Sequence, residues 1–174
     1  MQKQDEHELI AQSLSENHEA YAELINRYKN ALYRHCFAIV RNEDTAEDIA
    51  QDSFITAYYK LAQYNPQYRF STWLFKIATN KALNWLKRAG REIAVDDSVI
   101  ARVASTLPLP NQIVEQHELH EAVKRLQPRY RAVISLYYWQ GLSYQEIAAV
   151  LEAPSGSIKG WMSRAKAELR KDIS

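Results

Sequence analysis

Small and cationic side chains share one face of the segment between residues 155 and 171. At 100° per residue, an α-helix places on this face Gly156, Lys159, Gly160, Ser163, Arg164, Ala167 and Arg170. Small residues allow a helix backbone to approach a groove closely, and long cations reach phosphates and base edges. The opposite face carries an apolar stripe that is predicted to be buried: Ile158, Met162, Ala165 and Leu169. An ordinary solvated helix would mix Glu and Lys on the outer face, so we interpret this segment as a DNA-reading helix.

The residues just before it complete a helix-turn-helix. "SYQEIAAVL" is predicted to form a short helix and "EAPSG" a tight turn. Ser143 and Glu146 have the spacing of a capping box, which marks the start of the short helix.

A second polar ridge lies in "FSTWLFKIATNKALNWLKR". Spacings of four, four and three residues align Lys76, Asn80, Asn84 and Lys87. Asn can pair with two atoms of a base edge and Lys can bind phosphates, so the ridge suits nucleic acid. Aromatic residues that could stack on unpaired bases gather at the preceding turn: Tyr64, Tyr68, Phe70 and Trp73. For Trp73 and Trp85, a place in the core is the favoured interpretation.

The stretch "NEDTAEDIAQDSF" is acidic and contains no basic residue. Helical spacing turns Ala46, Ile49, Ala50, Ser53 and Ala57 inward, and it turns outward Asp48, Gln51, Asp52, Ile55 and Tyr59. Acids mixed with outward apolar residues indicate an interface for a basic protein surface. A carboxylate metal site would need a second, facing cluster of aspartates, and the sequence has only one.

No catalytic or cofactor-binding pattern is found in the sequence. His117 and His120 have ligand-like spacing, but no Cys or third His lies near them, so a metal site is disfavoured. Neither a glycine-rich phosphate loop nor a Ser/His/Asp arrangement is present. The lone cysteine, Cys36, is predicted to be a buried apolar residue. We therefore expect a protein that is not an enzyme and has no cofactor.

The composition predicts an all-α fold. Among 174 residues there are four glycines and five prolines, and good helix formers dominate. Predicted helix starts are Asn17, Asp44 or Thr45, Ser71 and, at a first turn, Pro128. The net charge of +1 says little, but basic islands at 76–91 and 159–171 suit contacts with phosphates. No apolar run is long enough to span a membrane and the N-terminus is polar, so a cytoplasmic location is expected.

Two small helical domains are predicted, at residues 1–88 and 112–174. Between them, residues 89–111 have no sustained helical period and are interpreted as a flexible linker. Fully extended, this segment could span at most roughly 75 to 80 Å.

Three motifs in order resemble bacterial RNA polymerase sigma factors of the extracytoplasmic function (ECF, group IV) type. They are "AEDIAQDSF", "FSTWLFKIATNKALNWLKR" and "RLQPRYRAVISLYYWQGLSYQEIAAVLEAPSGSIKGWMSRAKAEL". The resemblance implies a sigma2 domain, a linker that threads the polymerase and a sigma4 domain. It also implies that the partners are core RNA polymerase, promoter DNA and an anti-sigma factor, which is commonly membrane-bound.

The resemblance assigns site residues by motif position. Docking on the clamp helices of the largest polymerase subunit is expected of Asp44, Glu47, Asp48, Gln51, Asp52 and Ile55. Binding and melting of the minus 10 element are expected of Tyr64, Tyr68, Phe70, Lys76, Asn80, Asn84, Lys87 and Arg88. Major-groove contacts at the minus 35 element are expected of Ser155, Ser157, Lys159, Gly160, Ser163, Arg164 and Arg170. Gly160 and Trp161 replace the Ser and Arg usual in the family, so promoter preference cannot be carried over.

Two other classes of function stay open at this stage. A LuxR-type regulator would share the helix-turn-helix but needs a phosphoacceptor or ligand domain ahead of it, and the first 90 residues show no β/α alternation. An all-α enzyme would need a catalytic constellation.

Overall fold

The computed structural model describes residues 5–90 and 122–173. In these two ranges the regular structure is helical: α1 (Glu6–Leu14), α2 (His18–Val40), α3 (Glu43–Tyr59), α4 (Phe70–Ala89), α5 (Pro128–Ile134), α6 (Tyr144–Leu151) and α7 (Ser155–Ile173). A short 3₁₀ helix, Leu61–Gln63, follows α3, and a π-helical segment, Ser135–Trp139, continues α5. The all-α prediction is confirmed.

The first domain consists of α1 to α4 around a core of large apolar side chains. Leu24, Leu32 and Ile39 of α2 and Phe70 and Phe75 of α4 are almost completely buried. Cys36 is buried as predicted, and burial raises the pKa of its thiol to about 12. The core therefore holds α4 against α2 and α3, which fixes the direction of its polar ridge.

The helix starts show where local reasoning succeeds and fails. Asn17 caps α2 as predicted, because its side chain accepts from the backbone N–H groups of Glu19 and Ala20. The predicted cap of α3 at Asp44 or Thr45 is wrong: Asn42 is the cap, and its side chain accepts from the Thr45 N–H at 2.9 Å. The predicted cap at Ser71 is also wrong, because α4 begins at Phe70 and Ser71 is buried in its first turn.

The second domain consists of α5, the π-helical segment, α6 and α7. Pro128 occupies the first turn of α5, as predicted, and Gly141 has a φ of 63°, which favours glycine. The capping box of Ser143 and Glu146 is present at the start of α6. Tight turns on both sides of α6 thus set the direction in which α7 leaves.

The two domains pack against each other, chiefly α6 on α4 and α5 on α2. Their buried apolar side chains form one continuous cluster. Most of the predicted linker, together with residues 112–121 and the His117/His120 pair, lies outside the described residues. The predicted domain boundaries therefore stay predictions.

Candidate polymerase and promoter interfaces

The outward face of α3 matches its predicted pattern. Ala46, Ile49, Ala50, Ser53 and Ala57 are all buried, whereas every residue predicted to face outward is exposed. Ile55 and Tyr59 expose 55% and 80% of their surface beside the acids of the helix. The face thus combines exposed acids with exposed apolar area, which suits docking against a basic protein surface.

Two contacts order the polar side chains on this face. Gln51 Nε2 donates to Glu47 Oε1 at 3.3 Å, and Lys81 Nζ of α4 lies 2.5 Å from Asp52 Oδ2. Glu43, Asp44 and Glu47 also border a groove between α2 and α3, together with Tyr33 and Lys29. The acidic residues are therefore part of a concave surface as well as of an exposed helix face.

The aromatic residues at the turn before α4 divide into buried and exposed members. The rings of Tyr64, Phe70 and Trp73 have centroid separations of 5.4 to 5.9 Å. Tyr64 donates its hydroxyl to the Tyr68 carbonyl at 2.5 Å, and the Tyr68 side chain is 60% exposed. Phe70 is fully buried, so it has no surface to offer DNA in this arrangement and supports its neighbours from the core. Tyr68 is therefore the most exposed of the four rings.

The ridge on α4 is polar along its whole length. Asn80, Asn84, Lys87 and Arg88 are exposed, and Lys76 is half-buried. Leu74 and Ala78 are buried. Trp73 and Trp85, expected in the core, are half-buried and pack against it from the outside. Asn80, Asn84 and Lys87 line a groove of about 1080 Å³ between the domains, whose other wall includes Arg129 and Arg131. Three of the side chains predicted to meet the minus 10 element thus line a groove that the second domain also borders.

Helix α7 also matches its predicted pattern. Ile158, Met162, Ala165 and Leu169 are buried, and the predicted outer face is exposed throughout. Ser155 is exposed and Ser157 is half-buried, so both flank that face at its N-terminal end. Space around Gly160 is open, with no heavy atom within 4 Å of the position a Cβ would take. The backbone is therefore free to approach a groove at this residue.

Trp161 lies on the flank of α7 and is half-buried. The guanidinium carbon of Arg129, from the first turn of α5, lies 4.7 Å from the centre of the indole ring. This cation–π contact places a positive charge beside α7. Sequence reasoning missed Arg129, and no spacing rule within one helix could have found it.

A buried hydrogen-bonded chain joins the two domains at His35, which sequence reasoning also missed. Thr79 donates its hydroxyl proton to the Phe75 carbonyl at 2.7 Å, so its oxygen accepts from His35 Nε2 at 2.7 Å. His35 Nδ1 then accepts from the Ser135 hydroxyl at 2.8 Å. Burial lowers the pKa of His35 to about 3, which keeps the imidazole neutral.

Arg131 of α5 caps the C-terminal end of α2. Its guanidinium donates to the carbonyls of Ala38 and Ile39 at 3.0 and 2.7 Å, and to the Leu126 carbonyl in its own domain at 2.5 Å. Burial and the nearby Arg41 lower its pKa to about 10, so it stays charged at neutral pH. A buried cation satisfied by carbonyls of both domains fixes their relative orientation.

The family models match both halves of the chain. Residues 24–92 match the model described as Sigma-70 region 2, and residues 116–169 match Sigma-70, region 4. The ECF RNA polymerase sigma factor SigW of Bacillus subtilis is 31% identical over 94% of each chain. This chain belongs to the ECF sigma factors of the sigma-70 family. It is a DNA-binding transcription initiation factor, and the family resemblance inferred from its motifs is confirmed.

Other relatives of this sigma factor agree. The RNA polymerase sigma-H factor of Pseudomonas aeruginosa is 28% identical over 99% of this chain and 95% of its own. Among solved structures, CnrH in complex with the cytosolic domain of CnrY superposes with a TM-score of 0.70 and 30% identity, covering 94% of this chain and 93% of CnrH. In the described ranges no helix is long and apolar enough to cross a membrane, and no cluster of His, Cys, Asp or Glu could hold a metal ion.

Proposed function

We propose that this sigma factor binds core RNA polymerase through the outward face of α3, reads the minus 10 element with α4 and the turn before it, and reads the minus 35 element with α7. The observation that carries the proposal is the division of α7 into two faces. Its apolar stripe is buried in the second domain, and its face of small and cationic residues is exposed. Such a face can enter the major groove. Domains at 1–88 and 112–174 and assisted melting of the promoter are parts of the same proposal.

The predicted contact residues differ in how exposed they are, so they have different roles in this proposal. On α3 and α7 they are exposed, except Ser157, which is half-buried. Around the turn before α4, Tyr68 is exposed, whereas Tyr64 and Phe70 are buried and are assigned a supporting role. The chain itself supplies no catalytic step in this role, because polymerase carries out the chemistry.

An anti-sigma protein is the regulatory partner we propose. CnrH, which has this fold and 30% identity, was solved with the cytosolic domain of CnrY bound. A comparable partner would hold this factor in the cytoplasm or at the inner face of the membrane until a signal releases it.

The LuxR-type alternative is disfavoured by the first domain. Residues 5–90 are packed helices around a continuous core, and no strand occurs in that range. A phosphoacceptor domain of the β/α kind therefore has no place in the described part of the chain.

The proposal is tested by run-off transcription with core polymerase and a promoter mapped from transcript 5′ ends after induced expression. We expect Asp48→Lys to weaken polymerase association at least tenfold while the thermal unfolding midpoint stays the same, because an exposed charge contributes little to stability. Asp48 is chosen over Asp52, which is ion-paired with Lys81.

Glu8→Lys is the matched control, since Glu8 is an exposed acid on α1. It should associate like the wild type. If Asp48→Lys and Glu8→Lys bind polymerase equally, or if the free factor binds promoter DNA tightly and specifically without polymerase, the proposal is wrong.

A further inference from the structure

The two flanks of α7 carry different charges. One flank has Lys159, Lys166 and Arg170, which fall within about 40° of one another at about 100° per residue. The opposite flank has Trp161 and Glu168, about 20° apart. The helix itself therefore supplies cations along one flank only.

A helix in the major groove needs a favourable surface on both flanks. With its side chains, an α-helix is about 10 to 12 Å across, and the major groove is about 12 Å wide. Each flank of a helix that enters the groove consequently lies next to one sugar-phosphate backbone. By its own sequence, the flank that carries Trp161 and Glu168 would offer that backbone an indole and a negative charge.

The missing cation on this flank comes from α5. Arg129 is the second residue of α5, its side chain is exposed, and its guanidinium carbon lies 4.7 Å from the centre of the Trp161 ring. Helices α5 and α7 pack against each other within the second domain. The position of the Arg129 charge beside α7 is therefore fixed by the fold of this one domain.

The N–H donors of Arg129 are not used by the protein. Two residues further along α5, the Arg131 guanidinium donates to the carbonyls of Ala38, Ile39 and Leu126. Among the described residues, by contrast, Arg129 forms no ion pair and donates no hydrogen bond. A contact with the face of an aromatic ring holds a guanidinium in place while its in-plane donors stay available for a phosphate.

The stability of the second domain does not explain a cation at this position. The first turn of a helix favours acidic side chains over basic ones, and the first turn of α5 has Arg129 and no acid. Helices α5 and α7 are already joined by the core, to which buried Val133 and Met162 contribute. The Arg129 side chain lies outside that core.

The opposite flank of α7 shows a similar arrangement. Lys166 and Trp161 lie about 70° to either side of the centre of the buried stripe, and both are half-buried. The Lys166 Nζ lies 5.9 Å from the centre of the Tyr138 ring. Each flank thus has one cation beside an aromatic ring, and on the Trp161 flank that cation is Arg129.

We propose that Arg129 binds a phosphate of the DNA strand that borders the Trp161 flank of α7, and that Trp161 is the residue that positions its guanidinium. This inference rests on the proposed docking of α7 in the major groove. It adds a minus 35 contact from α5, outside the helix-turn-helix. Because a phosphate is the same at every base pair, this contact contributes affinity without sequence preference.

The first test measures promoter binding by core polymerase carrying the variant Arg129→Gln, over a range of salt concentrations. We expect affinity to fall roughly tenfold, as for the loss of one charge-assisted hydrogen-bonded contact. The slope of log affinity against log salt should become shallower by about 0.9, the value for one phosphate. The loss should be the same factor on promoters that differ in their minus 35 sequence. Arg125→Gln, at another exposed arginine of the second domain, is the control and should leave the salt slope unchanged.

The second test asks whether Trp161 acts through Arg129. We expect Trp161→Leu to lower affinity about threefold, the size of a cation–π contact, and Trp161→Phe, which keeps a ring, to bind nearly as well as the wild type. In the Arg129→Gln background, Trp161→Leu should have no further effect. Urea denaturation of each variant checks that the fold is retained.

Four outcomes separate the possibilities. Wild-type affinity and salt slope for Arg129→Gln would overturn the phosphate contact, and so would a loss that depends on the minus 35 sequence. An equal effect of Trp161→Leu with and without Arg129 would overturn the positioning role. If polymerase with the wild-type factor neither binds nor transcribes the mapped promoter, the proposed function fails instead.

Discussion

Gly160 leaves the backbone of α7 uncovered on the exposed face of the helix. It lies on the exposed face of α7 between Lys159 and Trp161, and nothing lies within 4 Å of a Cβ added there. In the proposed docking of α7 in the major groove, a side chain at this position would therefore point toward the DNA. Trp161, by contrast, is half-buried on the flank and stacked by Arg129.

We predict that Gly160→Ser changes minus 35 preference more than Trp161→Arg does. The serine hydroxyl would add a donor and acceptor at a base edge, whereas Trp161→Arg replaces an indole on the flank of α7, where Arg129 already supplies a positive charge. The measurement is the transcription profile of each variant over a library of randomised minus 35 sequences. Identical profiles for the two variants would contradict this assignment.

At the scale of the helix, inward and outward faces could be predicted well because they depend on periodicity alone. The stripe Ile158, Met162, Ala165 and Leu169 and the inward set of α3 are buried as expected. Helix starts were less predictable. Asn42, Asp44 and Thr45 are all good capping residues, and the choice among them depends on where the chain leaves α2 through Arg41 in a left-handed conformation, with φ of 59°.

The cap of α3 gives a prediction at this scale. We expect Asn42→Ala to lower the free energy of unfolding by about 1 kcal/mol, because the Thr45 N–H loses its side-chain acceptor. Thr45→Ala is the control, since Thr45 is inside the helix and Ala has the higher helix propensity. Urea denaturation measures both. Equal losses of unfolding free energy, or a larger loss for Thr45→Ala, would contradict the assignment of Asn42 as the cap of α3.

At the scale of the whole molecule, the buried chain through His35 connects α2, α4 and the π-helical segment. The segment is π-helical at Ser135, whose carbonyl accepts from the Gln140 N–H at 3.2 Å. Departures of this kind often occur at functional sites. Here the departure coincides with the residue whose hydroxyl reaches across the domain boundary.

We predict that Ser135→Ala costs about 1 to 3 kcal/mol of unfolding free energy, because His35 Nδ1 is left buried without a donor. Ser53→Ala is a matched control. Ser53 is equally buried, but its hydroxyl donates only to the Ile49 carbonyl of its own helix, at 2.6 Å, so its loss should be about 1 kcal/mol or less. Urea denaturation of the full chain measures the unfolding free energy of both variants. Equal losses would contradict the interdomain role of Ser135.

The sequence by itself determined the helical class, the faces of α3 and α7, the capping box of α6 and membership of the ECF sigma factors. These properties are local or are carried by motifs in a fixed order, so they can be read along the chain. Only the tertiary structure decided that α6 packs against α4, that Phe70 is buried, and that Arg129, Arg131, His35 and Ser135 have roles. These depend on contacts between residues as many as 100 positions apart. No periodicity within one helix encodes which other helix will lie against it.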